Sequence, residues 1–165
     1  MKRYAIYPGT FDPITFGHLD IIQRASELFD GIKVTIGINP AKTPLFSIDE
    51  RVTLLEGVLK DYKNVTIDTY SGLVVEHARN SGAIAIIRGL RAVSDFEYEF
   101  QMALTNRKIA GDVNTVFLMP NEKYTYLNST IVRSLAQFGG DVSDFVPPLV
   151  ADALREKFES KGYNV

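Results

Sequence analysis

The chain has 165 residues, of which 45% are hydrophobic and 23% charged, and its formal net charge is −2. This balance gives no reason to expect a nucleic acid or an anionic membrane as the partner, and the absence of cysteine excludes disulfides, thiolate zinc sites and thiol nucleophiles. No apolar run approaches the roughly 20 residues that span a bilayer, and no signal-peptide core follows the basic first three residues, so we expect a cytoplasmic protein.

Short runs rich in β-branched residues alternate with amphipathic stretches along the chain. The predicted strands are 3–7, 34–38, 65–70, 84–87 and 115–118, and the predicted helices lie near 17–29, 48–60, 73–81, 95–109, 130–137 and 148–160. Strict alternation predicts an α/β fold over residues 1–165 as a single domain, with a doubly wound parallel sheet of five strands and helices on both faces. Ligands of such sheets bind at the carboxyl ends of the strands.

Two helix starts have the Ser-x-x-Glu spacing of a capping box, Ser47 with Glu50 and Ser94 with Glu97. In the helix that follows Ser94, four apolar residues recur at helical spacing and predict a stripe buried against the core: Phe96, Phe100, Ala103 and Leu104.

The loop between the first strand and the first helix reads YPGTFDPITFGH at residues 7–18. A helix N-terminus offers unpaired N–H groups and a positive dipole end, which suit phosphate. Gly17 leaves room where a phosphate would approach, and His18 adds a donor. The loop is therefore predicted to hold a polyphosphate.

Basic side chains follow several of the predicted strands. His18, Lys42 and the pair Arg88 and Arg91 all lie in loops that leave one edge of a parallel sheet. We expect them to converge on one cleft, because the chain as a whole is acidic and solubility does not account for such a cluster.

Each residue taken alone also has a plainer interpretation. Lys42 can be solvated surface and the arginines can form surface ion pairs. Tyr98 and Glu99 can be a helix flank, Ser129 with Thr130 a helix N-cap, and His77 a structural histidine.

Two signatures carry a resemblance to a known family. TFGH at 15–18 resembles the (H/T)-x-G-H signature of the nucleotidyltransferase superfamily, and STIVR at 129–133 resembles its second signature, S-[ST]-x-x-R. Within that superfamily, the chain resembles the bacterial phosphopantetheine adenylyltransferases nearly end to end. The supporting segments are YPGTFDP at 7–13, KTPLF at 42–46, IRGLR at 87–91, DFEYE at 95–99 and FLMP at 117–120.

The resemblance implies a Rossmann-like fold and an enzyme that joins ATP and 4′-phosphopantetheine to give dephospho-coenzyme A and pyrophosphate, with Mg²⁺, in a homohexamer. The implied ATP contacts are Thr10, Phe11, His18, Gly89, Leu90, Arg91, Glu99, Tyr124, Thr125, Tyr126, Leu127, Asn128, Ser129 and Thr130. The implied phosphopantetheine contacts are Thr10, Lys42, Val74 and Arg88. His18 is the implied transition-state stabiliser. The family usually has serine where this chain has Asn128.

The chemistry needs no general base, because a phosphate monoester has a second pKa near ~6 and is mostly dianionic at neutral pH. We therefore expect catalysis by positioning and charge stabilisation, with His18, Lys42, Thr10 and Arg91 as the catalytic groups. No carboxylate cluster has metal-ligand spacing, so no metal-ligating residue is predicted and Mg²⁺ is expected on substrate oxygens and water.

Two alternatives share most of these features. A sibling adenylyl- or cytidylyltransferase acting on another phosphate acceptor would share residues 10–18 and 129–133. A non-catalytic ATP-sensing module would bind ATP alone, although it would have no need for Lys42. A dinucleotide-binding redox domain has little support, because no G-x-G-x-x-G follows the first strand.

Overall fold

A computed structural model describes residues 2–164. The five strands are β1 (Tyr4–Gly9), β2 (Gly31–Gly37), β3 (Val65–Tyr70), β4 (Ala85–Gly89) and β5 (Asn114–Leu118). The helices are α1 (Phe16–Leu28), α2 (Ile48–Leu59), α3 (Val74–Asn80), α4 (Val93–Ile109), α5 (Ser129–Gln137) and α6 (Pro148–Ser160), with a short 3₁₀ turn at Glu122–Tyr124.

The strands form one parallel sheet in the order β3-β2-β1-β4-β5. Strand β1 has β2 on one side and β4 on the other, so the chain reverses its direction of travel across the sheet at this point. A crevice opens at the carboxyl ends of the strands where such a reversal occurs. The predicted α/β architecture is confirmed.

Side chains alternate between two cores, as the period of a strand requires. In β1, Ala5 and Tyr7 pack in the larger core, with residues of α1, α2, α5 and α6, whereas Ile6 packs in the smaller one, with residues of α3. Helices therefore cover both faces of the sheet. No helix within residues 2–164 is long and apolar enough to cross a membrane.

The predicted elements differ from the structure mainly at their ends. Strand β2 begins three residues earlier than predicted, at Gly31. The capping box at Ser47 is confirmed, since Glu50 N–H donates to Ser47 Oγ (3.2 Å) and Ser47 N–H donates to Glu50 Oε2 (2.7 Å). The capping box predicted at Ser94 is wrong, because α4 begins at Val93 and its N-cap is Ala92, which makes no side-chain cap bond.

The apolar stripe predicted on α4 does not face the core. Phe96, Phe100 and Leu104 are 48%, 46% and 48% exposed, and the buried residues of this helix are Glu99 and Asn106. The face of α4 that packs inward lines the cavities described below, and its two buried residues are polar.

Candidate active site

Three adjoining cavities open at the carboxyl ends of the strands. The first cleft has a volume of about 430 Å³ and lies between β1, α1, the start of α4 and the start of α5. The second cleft, of about 490 Å³, lies between β1, β2 and the residues that follow β2. The third cavity, of about 180 Å³, lies between the ends of the central strands, α3 and α4.

The first two clefts share one wall. It is formed by four residues that line both: Pro8, Gly9, Arg88 and Tyr98. Gly9 is required there, since a Cβ at this position would lie 2.9 Å from the Phe11 ring. Two ligands that occupy the two clefts would therefore lie next to one another at these four residues.

His18 is fixed at the floor of the first cleft by a capping box at the start of α1. Thr15 is the N-cap residue, and its backbone N–H donates to His18 Nδ1 at 3.0 Å. A backbone N–H can only donate, so Nδ1 is the acceptor and the imidazole proton lies on Nε2. The ring consequently offers Nε2–H as a neutral hydrogen-bond donor.

Burial keeps this imidazole uncharged. Desolvation, together with the nearby charge of Arg91, lowers the pKa of His18 to about 4. The Phe11 ring packs against the His18 ring, with centroids 5.0 Å apart, and Phe11 is itself buried. Phe11 thus packs against the buried side of the His18 ring. His18 itself remains partly exposed at the lining of the first cleft.

The loop between β1 and α1 is held at several points. The buried carboxylate of Asp12 accepts the backbone N–H groups of Leu45 (2.8 Å) and Phe46 (2.9 Å). Arg133 on α5 donates to the backbone carbonyl of Asp12 at 2.5 Å. Ser129 Oγ, also on α5, donates to the carbonyl of Pro13 at 2.8 Å. The second signature segment is therefore bonded directly to the loop that leads into the first signature.

The start of α5 supplies a second helix N-terminus to the first cleft. Asn128, not Ser129 or Thr130, is the N-cap, and its Oδ1 accepts the N–H of Ile131 at 2.9 Å. Asn128 and Ser129 both line the cleft. Asparagine is as good an N-cap as serine, which gives this departure from the usual family residue a structural role.

The arginines of the 88–91 loop are oriented by carboxylates of α4. Arg88 makes two bonds to the buried Glu99, Nη2 to Oε1 at 2.6 Å and Nε to Oε2 at 2.8 Å, and this pairing raises the pKa of Arg88. Arg91 lies 3.3 Å from Asp95 and donates to the Leu127 carbonyl at 3.2 Å. Both guanidinium groups are thereby held at the first cleft.

The second cleft is lined by three cationic residues, Lys42, Arg51 and Arg88, and by no carboxylate among residues 2–164. Thr10, at the end of the β1 wall, lines it as well. Such a cleft is suited to an anion.

Most predicted site residues line these cavities. The first cleft contains His18, Arg88, Gly89, Arg91, Glu99, Tyr124, Leu127, Asn128 and Ser129; the second contains Thr10, Lys42 and Arg88; the third contains Val74, Arg88 and Glu99. Five predicted ATP contacts line none of the three: Phe11, Leu90, Thr125, Tyr126 and Thr130.

Sequence reasoning missed Arg51 and Asp12. Arg51 stands in the first turns of an amphipathic helix, where an arginine is ordinarily solvated, and only its burial in the fold sets it apart. Asp12 carries a detectable signal, because an acidic residue inside an anion-binding loop needs a structural partner. Tyr98, for which a helix flank is the plainer interpretation of the sequence, lines all three cavities.

Comparison with known proteins shows the family of the chain. The profile of the Cytidylyltransferase-like family matches residues 6–135. The phosphopantetheine adenylyltransferase of Caldanaerobacter subterraneus subsp. tengcongensis is 58% identical over 157 residues, which are 95% of this chain and 98% of that protein. The chain belongs to the phosphopantetheine adenylyltransferase family. The member from Alkaliphilus metalliredigens is 54% identical over 155 residues, covering 94% of this chain and 99% of that one.

Solved structures of other nucleotidyltransferases resemble the fold of this chain. The nicotinic acid mononucleotide adenylyltransferase of Plasmodium falciparum, solved with NaAD, has a TM-score of 0.70 at 16% identity and covers 99% of both chains. A bifunctional NMN adenylyltransferase/ADP ribose pyrophosphatase of Francisella tularensis has a TM-score of 0.71 at 16% identity, over 96% of this chain and 50% of that one. At these identities, the likeness shows the fold alone.

Proposed function

We propose that this protein transfers the adenylyl group of ATP to 4′-phosphopantetheine, which gives dephospho-coenzyme A and pyrophosphate in coenzyme A biosynthesis. Relatives at 53–58% identity over nearly the whole chain are named phosphopantetheine adenylyltransferase. The observation that carries the proposal is the pair of clefts that share the Pro8–Gly9 wall, one at two helix N-termini and one lined by cations without a carboxylate. A reaction between two anionic substrates needs such an arrangement.

ATP is assigned to the first cleft. Its phosphates would face the first turns of α1 and α5, where backbone N–H groups and the helix dipoles favour negative charge. Arg91 would neutralise the triphosphate. Gly17 lines the same cleft and presents no side chain to it.

Phosphopantetheine is assigned to the second cleft and the third cavity. Lys42 and Thr10 would hold its phosphate in the second cleft. Its uncharged arm would enter the third cavity, where Val74, Met102 and Ala103 supply apolar contact and Asn106 a buried amide. Arg88 lines all three cavities and would lie between the two substrates.

The reaction would then proceed by in-line displacement without a covalent intermediate. A phosphate oxygen of phosphopantetheine forms a bond to the α-phosphorus of ATP, while the bond from that phosphorus to the bridging oxygen breaks and pyrophosphate leaves. His18 Nε2–H would donate to an equatorial oxygen of the α-phosphoryl group, where charge gathers in the transition state. The dianionic nucleophile arrives without a proton to remove, so no general base is assigned.

We propose that Mg²⁺ is not held by side chains of the first cleft. Its two carboxylates, Asp95 and Glu99, are paired with Arg91 and Arg88, and within residues 2–164 no cluster of three or more metal-binding side chains occurs. We propose that Mg²⁺ arrives on the phosphates of ATP, and no step is assigned to protein-bound metal.

We further propose a homohexamer in the cytoplasm, as in the family that the sequence resembles. The exposed stripe of Phe96, Phe100 and Leu104 supports self-association, because it lies on a helix whose other face is already occupied by the cavities.

A pyrophosphate-release assay tests the reaction. ATP with 4′-phosphopantetheine should release pyrophosphate, and ATP with nicotinamide mononucleotide should not. The reverse preference would assign the chain to the sibling transferases, and ATP binding without release for any acceptor would favour the ATP-sensing alternative.

Two variants test the assigned roles. His18→Ala should lower kcat by about 10²–10³-fold with both substrates saturating, the usual effect of removing one oxyanion donor. Lys42→Ala should chiefly raise the KM for phosphopantetheine. An unchanged kcat for the first variant, or an effect of the second that is confined to the KM for ATP, would contradict the placement.

A further inference from the structure

Arg51 is a buried arginine at the second cleft that no part of the proposed mechanism uses. It belongs to the first turns of α2 and is 4% exposed, although it lines the cleft together with Lys42 and Thr10. Arginine is rarely buried to this degree unless its charge is paired.

Its hydrogen bonds within the protein are few. Nη1 donates to the backbone carbonyl of Thr10 at 2.9 Å, and Nε donates to the carbonyl of Ser47 at 3.3 Å. A guanidinium group carries five N–H donors, so three have no acceptor in the part of the chain that the structure describes. Nη2 makes no hydrogen bond there at all.

The charge of Arg51 also lacks a counter-ion. Among residues 2–164, no carboxylate oxygen lies within 4.0 Å of its guanidinium nitrogens, and the lining of the second cleft contains no Asp or Glu. Its neighbour Arg88 differs, because Glu99 already neutralises it. Arg51 is buried except where it borders the second cleft, so an anion bound there would supply the counter-charge and the acceptors that the protein does not.

We propose that Arg51 is a phosphate-binding residue of the second cleft, which holds the acceptor's phosphate together with Lys42 and ties it to the Thr10 carbonyl. The inference rests on the proposed function for the identity of the acceptor, 4′-phosphopantetheine. One guanidinium nitrogen fixes the β1–α1 loop, and the remaining donors face the anion, so binding the phosphate and ordering Thr10 become one event. A lysine at this position could supply the charge but not both sets of bonds.

The test compares two ligands that differ only in the phosphate. Calorimetry gives the Kd of 4′-phosphopantetheine and of pantetheine for the wild-type protein, for Arg51→Met and for Arg51→Lys. The control is Arg155→Met, which removes an exposed arginine of α6 that pairs with Asp152 and with no other carboxylate in residues 2–164. Thermal melts of all four proteins establish that each is folded.

We expect the wild-type protein to prefer the phosphorylated ligand, and Arg51→Met to reduce that preference by about 10-fold or more, the effect of losing a charge-assisted hydrogen bond. Its Kd for pantetheine should stay within about 3-fold of wild type, and Arg51→Lys should be intermediate. A preference that survives in Arg51→Met, or equal weakening of both ligands, overturns the proposal. If Arg51→Met does not fold, a wild-type preference in Arg51→Lys overturns it.

Turnover is measured separately on the same wild-type preparation. Suppose that the wild-type protein releases pyrophosphate and that Arg51→Met still prefers 4′-phosphopantetheine to pantetheine as strongly as wild type. The proposed function would then stand, and the phosphate-binding role of Arg51 would be overturned. If the preference for the phosphorylated ligand depends on Arg51 but no pyrophosphate is released, the role of Arg51 would stand and the proposed function would be overturned.

Discussion

The threonine and the histidine of the first signature perform two tasks through one hydrogen bond. Thr15 caps α1 and His18 is the third residue of that helix, so the Thr15 N–H to Nδ1 bond both starts the helix and fixes the tautomer. The spacing T-x-G-H is therefore a capping box in which histidine replaces the usual glutamate. The sequence predicted a helix start and a phosphate donor here, but not that they are the same contact.

His18 should titrate far below an ordinary histidine. We expect its imidazole carbon and nitrogen resonances in NMR spectra of the free protein to have a midpoint near pH 4 and to report the Nε2–H tautomer at neutral pH. Only His77 can be confused with it, and a His77→Gln variant makes the assignment. A midpoint near 6.5 would contradict both the burial and the assigned donor.

The same shift has a consequence for stability. The folded pKa of His18 is depressed below its unfolded value near 6.5, so the neutral form contributes stability that is fully present above about pH 6.5. This contribution is lost as the pH falls from about 6.5 to about 4. Wild-type and His18→Gln proteins should therefore differ in the slope of unfolding free energy against pH in that window.

Gly17 should be replaceable for folding but not for nucleotide binding. A Cβ at this position would lie 3.5 Å from Thr15 Oγ1 and 3.8 Å from Tyr124 Cβ, which are ordinary contacts, and it would stand at the lining of the first cleft. Gly17→Ala should keep or raise the Tm, because alanine favours helix. It should raise the KM for ATP by about 10-fold, the loss of one phosphate hydrogen bond; an unchanged KM would show that phosphate does not approach Gly17.

At the scale of elements, α5 shows why the N-cap residue of a helix is difficult to predict from sequence. Ser129 and Thr130 are good N-cap types, yet the N-cap falls one residue earlier on Asn128, which leaves the Ser129 hydroxyl to donate to Pro13. Propensity alone does not decide between adjacent candidates, since all three residue types cap well.

Asn128→Ala should lower the free energy of unfolding by about 1 kcal/mol, because the N–H of Ile131 loses its acceptor. Asn128→Ser, the residue usual in the family, should stay within a few tenths of a kcal/mol of wild type. Urea unfolding of the three proteins measures the difference. Equal stability of the alanine and serine variants would show that the cap contributes nothing.

Helix α4 was the element for which sequence periodicity misled most. Its apolar residues do recur at helical spacing, but the face that packs inward is the one with Glu99 and Asn106. Periodicity identifies two faces of a helix without saying which one meets the chain's own core. In α4 the inward face lines the cavities and buries two polar residues, so the apolar residues lie on the outward face.

For the whole molecule, the orientation of α4 leaves its apolar stripe on the protein surface. We expect this stripe to contribute to contacts between subunits. Phe100→Glu places a charge in the middle of the stripe and should reduce the mass of the particle in light scattering from the hexamer expected for the wild type. Gln101→Glu, on the polar flank of the same helix, is the control and should leave the mass unchanged. A Phe100→Glu protein of wild-type mass would exclude the stripe from any subunit contact.

The convergence of His18, Arg88 and Arg91 at the first cleft followed from topology, because parallel strands deliver their carboxyl-end loops to one edge. Lys42 lies instead in the adjoining second cleft, which it shares with Arg88. The positions of the buried Arg51 and Asp12 depend on contacts between residues 33 to 121 positions apart in the chain. Single-sequence patterns describe neighbours along the chain and carry no information on such pairs.

The wall shared by the first two clefts also bears on how the proposed specificities for nucleotide and for acceptor can change independently. Four residues line both the first and the second cleft, and Glu99 lines both the first cleft and the third cavity, whereas the remaining residues of the second cleft and the third cavity do not line the first cleft. Under the proposed assignment, substitutions at Val74, Met102 or Ala103 should affect the acceptor alone, whereas a change at Arg88, Tyr98 or Glu99 should affect both substrates. A scaffold divided in this way can acquire a new acceptor in small steps, each of which leaves ATP binding in place.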